Sequence, residues 1–177
     1  MEASDAAIVE RVDLAARRAG FTTLFDDHVA EVYRFVHSRC RDRAMAEDVT
    51  QDTFLTAVRT VADPAEVTVA WLVRVARNRL FDIVRRQARY AGKLRLVGAA
   101  DQVPDDMDTT VEKLRMNEAL DQLSIDQRLV LTLHYVDGLT VAALAEELGR
   151  SVKAVESLVT RARRNLRREL EDTDARR

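Results

Sequence analysis

The chain has 177 residues, of which 47% are hydrophobic and 33% charged, with a formal net charge of −2. This length can bury one moderate core or two small ones, while five Gly, two Pro and 5% aromatic residues argue against a sheet-rich protein and favour helices throughout. The apolar runs are too short to span a membrane, the N-terminus does not resemble a signal peptide, and a single Cys cannot form an internal disulfide, so we expect a cytoplasmic protein.

The first 36 residues predict two helical stretches of different strength. Residues 1–20 predict a weak helix around Ile8 and Val12 that frays at its start, and from Phe21 apolar residues recur firmly at helical spacing. Next, His37 and Cys40 have a spacing found in metal sites, but one Cys and three His in the chain are a poor supply of ligands. We therefore expect no metal site and interpret His37 as a packing or surface residue.

A helix predicted from about Ala44 to Val61 carries an acidic outer face that includes Glu47, Asp48 and Asp52. Paired carboxylates suit acid–base catalysis or a divalent metal. The sequence offers no nucleophile and base close together, no Gly-rich phosphate loop and no Cys cluster to support catalysis. We therefore interpret this face as solvated or as a docking surface for a basic partner, and expect neither enzyme activity nor a cofactor.

The next segment is cationic. Asp63-Pro64-Ala65-Glu66 has the features of a helix start, with a capping Asp and Pro at the first helical position. Beyond it, apolar positions recur at helical spacing, and from Trp71 to residue 95 eight basic residues accompany one acid, Asp82. The pattern predicts a helix with a phosphate-binding face, on which the Trp71 ring is expected to belong to the core.

The apolar repeat stops between Gly92 and Thr110, where Gly98, Pro104, Asp105, Asp106 and Asp108 form an acidic, turn-rich segment. We interpret it as a linker between two helical domains. Its charge opposes that of the basic helices around it, so it can shield DNA-binding surfaces in the free protein, although plain solubility explains it equally well.

The second domain is predicted to open near Val111 with a short apolar helix. Ser124-Ile125-Asp126-Gln127 predicts a capping box that starts a second helix, which Gly138 stops. His134 lies in that apolar helix and is interpreted as a partly buried packing residue.

A helix-turn-helix is predicted after Asp137. Thr140 is placed to cap its first helix, Gly149 to end it in a left-handed conformation, and Ser151 to cap the second helix. Between residues 150 and 168, seven basic residues accompany one acid, Glu156. A helical hairpin with a solvated Arg-rich face has a similar pattern, but the concentration of positive charge favours a second helix that lies in the major groove of DNA.

Several motifs in register resemble bacterial sigma-70 family RNA polymerase sigma factors of the extracytoplasmic-function (ECF) subfamily. The motifs similar to sigma region 2 are residues 46–55 (AEDVTQDTFL), Trp71-Leu72, Val75-Ala76-Arg77-Asn78, Asp82 and Arg85-Arg86. The motifs similar to sigma region 4 are residues 127–131 (QRLVL), 137–140 (DGLT), 142–149, 154–157 (AVES) and 161–163. The resemblance covers residues 21–170 in the expected order.

The resemblance implies an all-α protein of two small helical domains joined by an acidic linker. Residues 1–20 would be an N-terminal extension, 21–96 a region 2 helical bundle, 97–110 the linker, 111–172 a region 4 helix-turn-helix domain and 173–177 a tail. It implies a non-catalytic initiation subunit that binds core RNA polymerase, through the clamp helices of its largest subunit and the flap of the second-largest, and directs it to promoter DNA. An anti-sigma partner is common in the family, and no residue here proves one.

The resemblance also assigns residues to three contacts. Core polymerase would bind Asp48, Gln51, Asp52 and Phe54. The −10 element would bind Asp63, Trp71, Arg74, Arg77, Asn78, Arg85 and Arg86. The −35 element would bind Thr140, Ser151, Lys153, Glu156, Ser157, Thr160, Arg161 and Arg164.

Three points stay open at this level. Many relatives carry a basic residue where Glu156 stands, so no −35 sequence is transferred. A stand-alone helix-turn-helix regulator, with a dimerisation or sensing domain in its N-terminal half, would instead bind a palindromic site without polymerase. A small metal-dependent enzyme using Glu47, Asp48 and Asp52 would show a turnover that is lost in Asp48→Ala.

Overall fold

The computed structural model describes residues 2–90 and 110–175, with side chains from 14–87 and 110–172. The predicted linker, apart from Thr110, lies outside the described residues, as do the side chains of Arg89, Lys93 and Arg95. Within the described part the chain is all-α, as expected, with α1 (Glu2–Cys40), α2 (Arg43–Thr60), α3 (Val69–Tyr90), α4 (Val111–Asp121), α5 (Ile125–Tyr135), α6 (Val141–Leu148) and α7 (Val152–Ala175). Among these helices none combines the length and apolarity that a membrane span requires.

The first helix is longer than the sequence pattern indicates. The predicted change near residue 20 is absent, because α1 continues through Gly20 and Phe21 without a break. It stops at Cys40, where Arg41 takes a left-handed conformation (φ 50°) and its amide donates to the carbonyl of His37 at 2.7 Å. Beyond this sharp end, the Arg41 side chain pairs with Asp121, at the end of α4.

The N-terminal bundle consists of α1, α2 and α3, which pack on one another in pairs. The Asp42 carboxylate accepts from the Met45 amide at 2.9 Å and starts α2 close to the predicted position. The helical spacing predicts that Leu55 and Val58 point only partly inward, and in the structure they are 38% and 40% exposed. The inner face of α2 is narrow, and its side chains are Ala46, Val49, Thr50, Thr53, Phe54 and Ala57.

The helix start predicted at Asp63 is a short 3-10 helix, Pro64–Glu66, and the α-helix proper begins later at Val69. The Asp63 carboxylate accepts from the Ala65 amide at 2.9 Å, as a capping residue does. The β-branched residues that follow favour extended backbone, and Val67 enters the core at 7% exposure instead of continuing the helix. The chain therefore reaches α3 through a 3-10 helix followed by two non-helical residues, Val67 and Thr68.

The C-terminal bundle consists of α4 to α7 around a core that includes Leu129, Leu133, Leu144, Val155 and Ala162. The capping box expected at residues 124–127 is wrong. The Ser124 hydroxyl donates to the Asp126 carboxylate at 2.5 Å, and that carboxylate accepts from the Gln127 amide at 3.0 Å. Asp126, at the second helical position, therefore does what was expected of Ser124.

The two bundles are in contact, α1 with α5 and α3 with α6. Arg39, near the end of α1, is ion-paired with Asp137 in the turn after α5, and Arg41 is paired with Asp121 at the end of α4. From the other side, the Arg128 guanidinium of α5 donates to the carbonyl of Cys40. The end of α1 is thus a junction of three arginines between the bundles.

Candidate nucleic-acid and protein interfaces

The helix-turn-helix has the caps that the sequence predicts. The Thr140 hydroxyl accepts from the Ala143 amide at 3.1 Å, and the Ser151 hydroxyl accepts from the Ala154 amide at 3.2 Å. Between them Gly149 takes a left-handed conformation (φ 61°), and the following amide, of Arg150, donates to the Ala145 carbonyl at 2.9 Å. Because each hydroxyl accepts at its oxygen, its O–H hydrogen remains a donor for a phosphate.

Helix α7 separates an apolar stripe from a polar face. Val155, Leu158, Val159 and Ala162 are buried against the other helices of the bundle. All six residues of α7 assigned to the −35 element are exposed: Lys153, Glu156, Ser157, Thr160, Arg161 and Arg164. The first turns of the helix present Lys153, Glu156, Ser157 and Thr160, and later turns present guanidinium groups. This order suits a helix whose N-terminal residues contact bases and whose later residues contact phosphates.

Helix α3 also carries basic side chains, but they differ in their surroundings. Arg74, Asn78 and Arg86 are exposed, whereas Arg77 is half-buried. Arg85 pairs with Asp82 on its own helix, and its Nη1 donates to the carbonyl of Glu147 in α6 at 2.6 Å. The predicted set therefore contains freely exposed cations and one that is tied to the other bundle.

The aromatic and loop members of that set are anchored. Trp71 is half-buried against the core, and its amide donates to the Thr68 hydroxyl at 3.2 Å. Asp63 is exposed but serves as the cap of the 3-10 helix. The backbone of Trp71 and of Asp63 is thus fixed by hydrogen bonds, while part of each side chain remains accessible to solvent.

The outer face of α2 combines acids with apolar groups. Asp48, Gln51 and Asp52 are exposed as expected, and Glu47 pairs with Arg43 at 2.8 Å. Phe54, predicted to contact a partner, is only 7% exposed and lies beneath the Phe25 ring, with 5.0 Å between ring centroids.

Phe25, which is 42% exposed, is a surface residue that sequence reasoning missed. Its position in the apolar repeat of α1 made it look like a core residue. Together with Leu55 and Val58 it adds apolar area beside the acids, which suits a protein partner better than solvent alone. Within the described residues no three His, Cys, Asp or Glu side chains are grouped so that they could hold a metal ion.

Burial shifts the pKa of two groups at the junction between the bundles. It raises the pKa of the Cys40 thiol to about 11, because the thiolate would lose its hydration. It lowers the pKa of the Arg128 guanidinium for the same reason, although the Asp121 carboxylate opposes the shift. Neither residue has access to a ligand, so their role is structural.

Two helical bundles, one bearing a capped helix-turn-helix with a cationic exposed face, define a helix-turn-helix DNA-binding protein. Protein-family models for Sigma-70 region 2 and Sigma-70, region 4 match residues 24–90 and 113–166.

Named relatives agree with this class. The ECF RNA polymerase sigma factor SigL of Mycobacterium tuberculosis is 35% identical over 168 residues, which is 89% of this chain and 93% of SigL. BldN of Streptomyces coelicolor, also named an ECF RNA polymerase sigma factor, is 33% identical over 179 residues, 96% of this chain and 66% of BldN. The chain therefore belongs to the sigma-70 family and is an ECF RNA polymerase sigma factor, a protein of transcription initiation.

The fold is similar to that of a solved relative. The sigma factor RpoE of Bartonella quintana, in complex with the anti-sigma factor NepR, superposes with a TM-score of 0.54 at 23% identity, covering 85% of this chain and 96% of RpoE. At this identity the likeness concerns the fold of the chain.

Proposed function

We propose that this sigma factor binds core RNA polymerase through its N-terminal bundle and recognises promoters at two elements, −10 through the N-terminal and −35 through the C-terminal bundle. It acts without catalysis of its own and works in the cytoplasm, where polymerase and DNA are. The proposed domains are residues 21–96 and 111–172, and each includes one of the two bundles as far as the structure describes them. Helix α1 also includes residues of the proposed 1–20 extension.

The polymerase docks on the outer face of α2. Asp48, Gln51 and Asp52 give this face a negative potential that complements a basic partner helix, for which the clamp helices of the largest subunit are the candidate. Phe25 and Leu55 supply the apolar contact that a stable interface needs beside its charges. Phe54 acts from beneath, by supporting the Phe25 ring.

At the −10 element, the segment from Asp63 to Asn78 holds the upstream edge of the melted strand, and Arg74 and Arg86 bind backbone phosphates. Unstacking a base costs a few kcal/mol. Stacking on aromatic side chains and phosphate contacts must offset this cost, and Trp71 lies on the same helix as these cations.

At the −35 element, α7 lies in the major groove of duplex DNA. Lys153, Glu156, Ser157 and Thr160 are nearest the bases, and Glu156 is able to accept from a cytosine amino group. The observation that carries the proposal is that all six polar residues assigned to this contact within α7 are exposed, on the side opposite its buried stripe. Thr140 and Ser151 add hydroxyl donors at the two caps.

The test is run-off transcription on genomic fragments by core polymerase, with and without this chain. We expect new start sites that depend on the chain, and unchanged start positions would refute the proposal. Asp52→Arg should abolish retention of core polymerase in a pull-down, while Glu112→Arg, a matched reversal on exposed α4, should retain it. High-affinity binding to a palindromic site without polymerase would favour the stand-alone regulator instead.

A second test concerns the −35 contact. Arg161→Ala should weaken promoter use by about 1–3 kcal/mol if the guanidinium contacts a base bidentately. The loss should disappear on promoters with a scrambled −35 element. Equal losses on both promoters would identify Arg161 as a phosphate contact.

An anti-sigma partner is part of the proposal as a regulator. RpoE, which shares this fold, is bound to the anti-sigma factor NepR in its solved structure. An inhibitor of this kind would compete with polymerase for the exposed apolar groups at Phe25, Leu55 and Val58. Leu55→Asp should then weaken the binding of both the anti-sigma partner and core polymerase.

A further inference from the structure

The segment between α2 and α3 is held from behind by a part of α1 that precedes residue 24, where the region 2 match begins. The Arg17 guanidinium makes three hydrogen bonds to this segment. Nε donates to the Ala62 carbonyl at 2.9 Å, and Nη2 donates to the carbonyls of Val58 at 2.9 Å and Val61 at 3.0 Å. These carbonyls lie at the end of α2, where a helix leaves acceptors unpaired and its dipole favours a cation.

The next turn of α1 adds two further contacts that hold Arg17 and the segment in place. The Arg17 guanidinium lies 5.2 Å from the centre of the Phe21 ring, which packs against the core and limits where the guanidinium can go. One residue earlier, a Cβ built on Gly20 would lie 2.5 Å from Cγ of Pro64. Only a residue without a side chain lets α1 approach the 3-10 helix so closely.

The far end of the segment is fixed too, since Val67 is buried at 7% exposure. Between these anchors, Asp63 and Glu66 face solvent. The segment is therefore a short platform whose back is fixed to α1 and whose front is open to a ligand.

We propose that Arg17 and Gly20 are positioning residues for promoter melting: they hold residues 61–67 in the geometry that receives the −10 strand. The inference rests on the proposed function, in which the segment from Asp63 onward contacts this element. A platform that is already ordered spares DNA binding the entropy of ordering it. Neither residue touches DNA.

The first experiment measures initiation by the reconstituted holoenzyme on promoters with an intact or a scrambled −10 element. Arg17→Ala should lower initiation on the intact promoter about tenfold, the effect of losing roughly one charge-assisted hydrogen bond, and reduce discrimination between the two. Arg17→Lys, which keeps a cation at the end of α2, should restore part of the discrimination. The matched control is Arg18→Ala, an exposed neighbour on the same helix, which should match the wild type.

Gly20→Ala supplies a second variant that separates positioning from folding. Alanine is the better helix former, so α1 itself is not weakened. The added methyl group would lie 2.5 Å from Cγ of Pro64, so either the Pro64 ring or α1 must shift. We expect lower −10 discrimination with unchanged dependence on the −35 element.

The outcomes are distinguishable. If the wild type initiates equally on intact and scrambled −10 promoters, the proposed −10 contact is wrong, and this inference with it. If the wild type discriminates and both Arg17→Ala and Gly20→Ala keep its ratio, only the positioning role is refuted. Equal losses on −10 and −35 variants would show a general folding effect and would also refute it.

Discussion

The guanidinium of Arg128 is predicted to be the most costly single side chain to remove from the C-terminal bundle. It is 6% exposed, and it donates to the carbonyls of Leu120 at 2.8 Å, Leu123 at 3.1 Å and Asp121 at 3.2 Å, around the end of α4. Its remaining bond is to the carbonyl of Cys40, at the end of α1. One cation thus caps the negative ends of two helices from different bundles.

The size of the effect follows from these bonds. In Arg128→Met, the carbonyls of Asp121, Leu123 and Cys40 lose the guanidinium as partner, whereas the Leu120 carbonyl still accepts from the Leu123 amide at 3.2 Å. Each buried acceptor left unsatisfied costs about 1–3 kcal/mol. Burial of the charge opposes part of this, as the lowered pKa of Arg128 shows, so the sum lies near the lower limit. We expect a loss of about 3 kcal/mol in the free energy of unfolding.

The assay is urea denaturation of the full chain followed by circular dichroism, with Arg163→Met, an exposed arginine of α7, as the control. The control should change stability by less than about 0.5 kcal/mol. Because Arg128 also holds the end of α1, its substitution should speed alkylation of Cys40, which is 1% exposed and the only thiol of the chain. A loss below about 1 kcal/mol would refute the reasoning.

Three further predictions concern single groups. Burial raises the pKa of Cys40 from 9.0 to about 11, so the contribution of the neutral thiol to folding stability is complete below pH 9 and is lost as pH rises toward 11. Cys40→Ala should therefore reduce the loss of stability at alkaline pH, by at most about 1.4 kcal/mol per pH unit. Thr50 is buried, and its hydroxyl has no partner within the part of the chain described, so Thr50→Val should raise the melting temperature or leave it unchanged. Arg85→Ala should both weaken promoter binding and separate the bundles in small-angle scattering, whereas Arg86→Ala, at an exposed residue, should affect binding alone.

Helix α7 shows what could be predicted from the sequence. Its periodicity identified the buried stripe, and Thr140, Gly149 and Ser151 gave correct boundaries, because caps and amphipathic faces are local properties. The assignment of DNA and polymerase contacts on these surfaces came from the family resemblance and stays a prediction.

The errors arose where tertiary contacts decide. Sequence position alone does not show that Arg39 and Arg128 are buried: Arg39 meets the Asp137 carboxylate, and Arg128 meets the carbonyls at the ends of α1 and α4. Phe25 and Leu55 fit the helical spacing of core residues, but the inner face of α2 is narrow and both side chains remain exposed. Helical periodicity indicates which face of its helix a side chain is on, but it does not show which other part of the chain packs against that face.

The contact between the two bundles depends on side chains, and one of these side chains is also assigned to DNA. Twenty residues separate Tyr90 from Val111, and a chain of that length reaches up to about 66 Å when extended, so the covalent connection alone does not keep the bundles together. Arginine contacts do so, and one of them uses Arg85, whose neighbours on α3 are assigned to phosphate. Any phosphate that binds Arg85 competes with the Glu147 carbonyl for the same guanidinium, so promoter binding and contact between the bundles are coupled through this side chain.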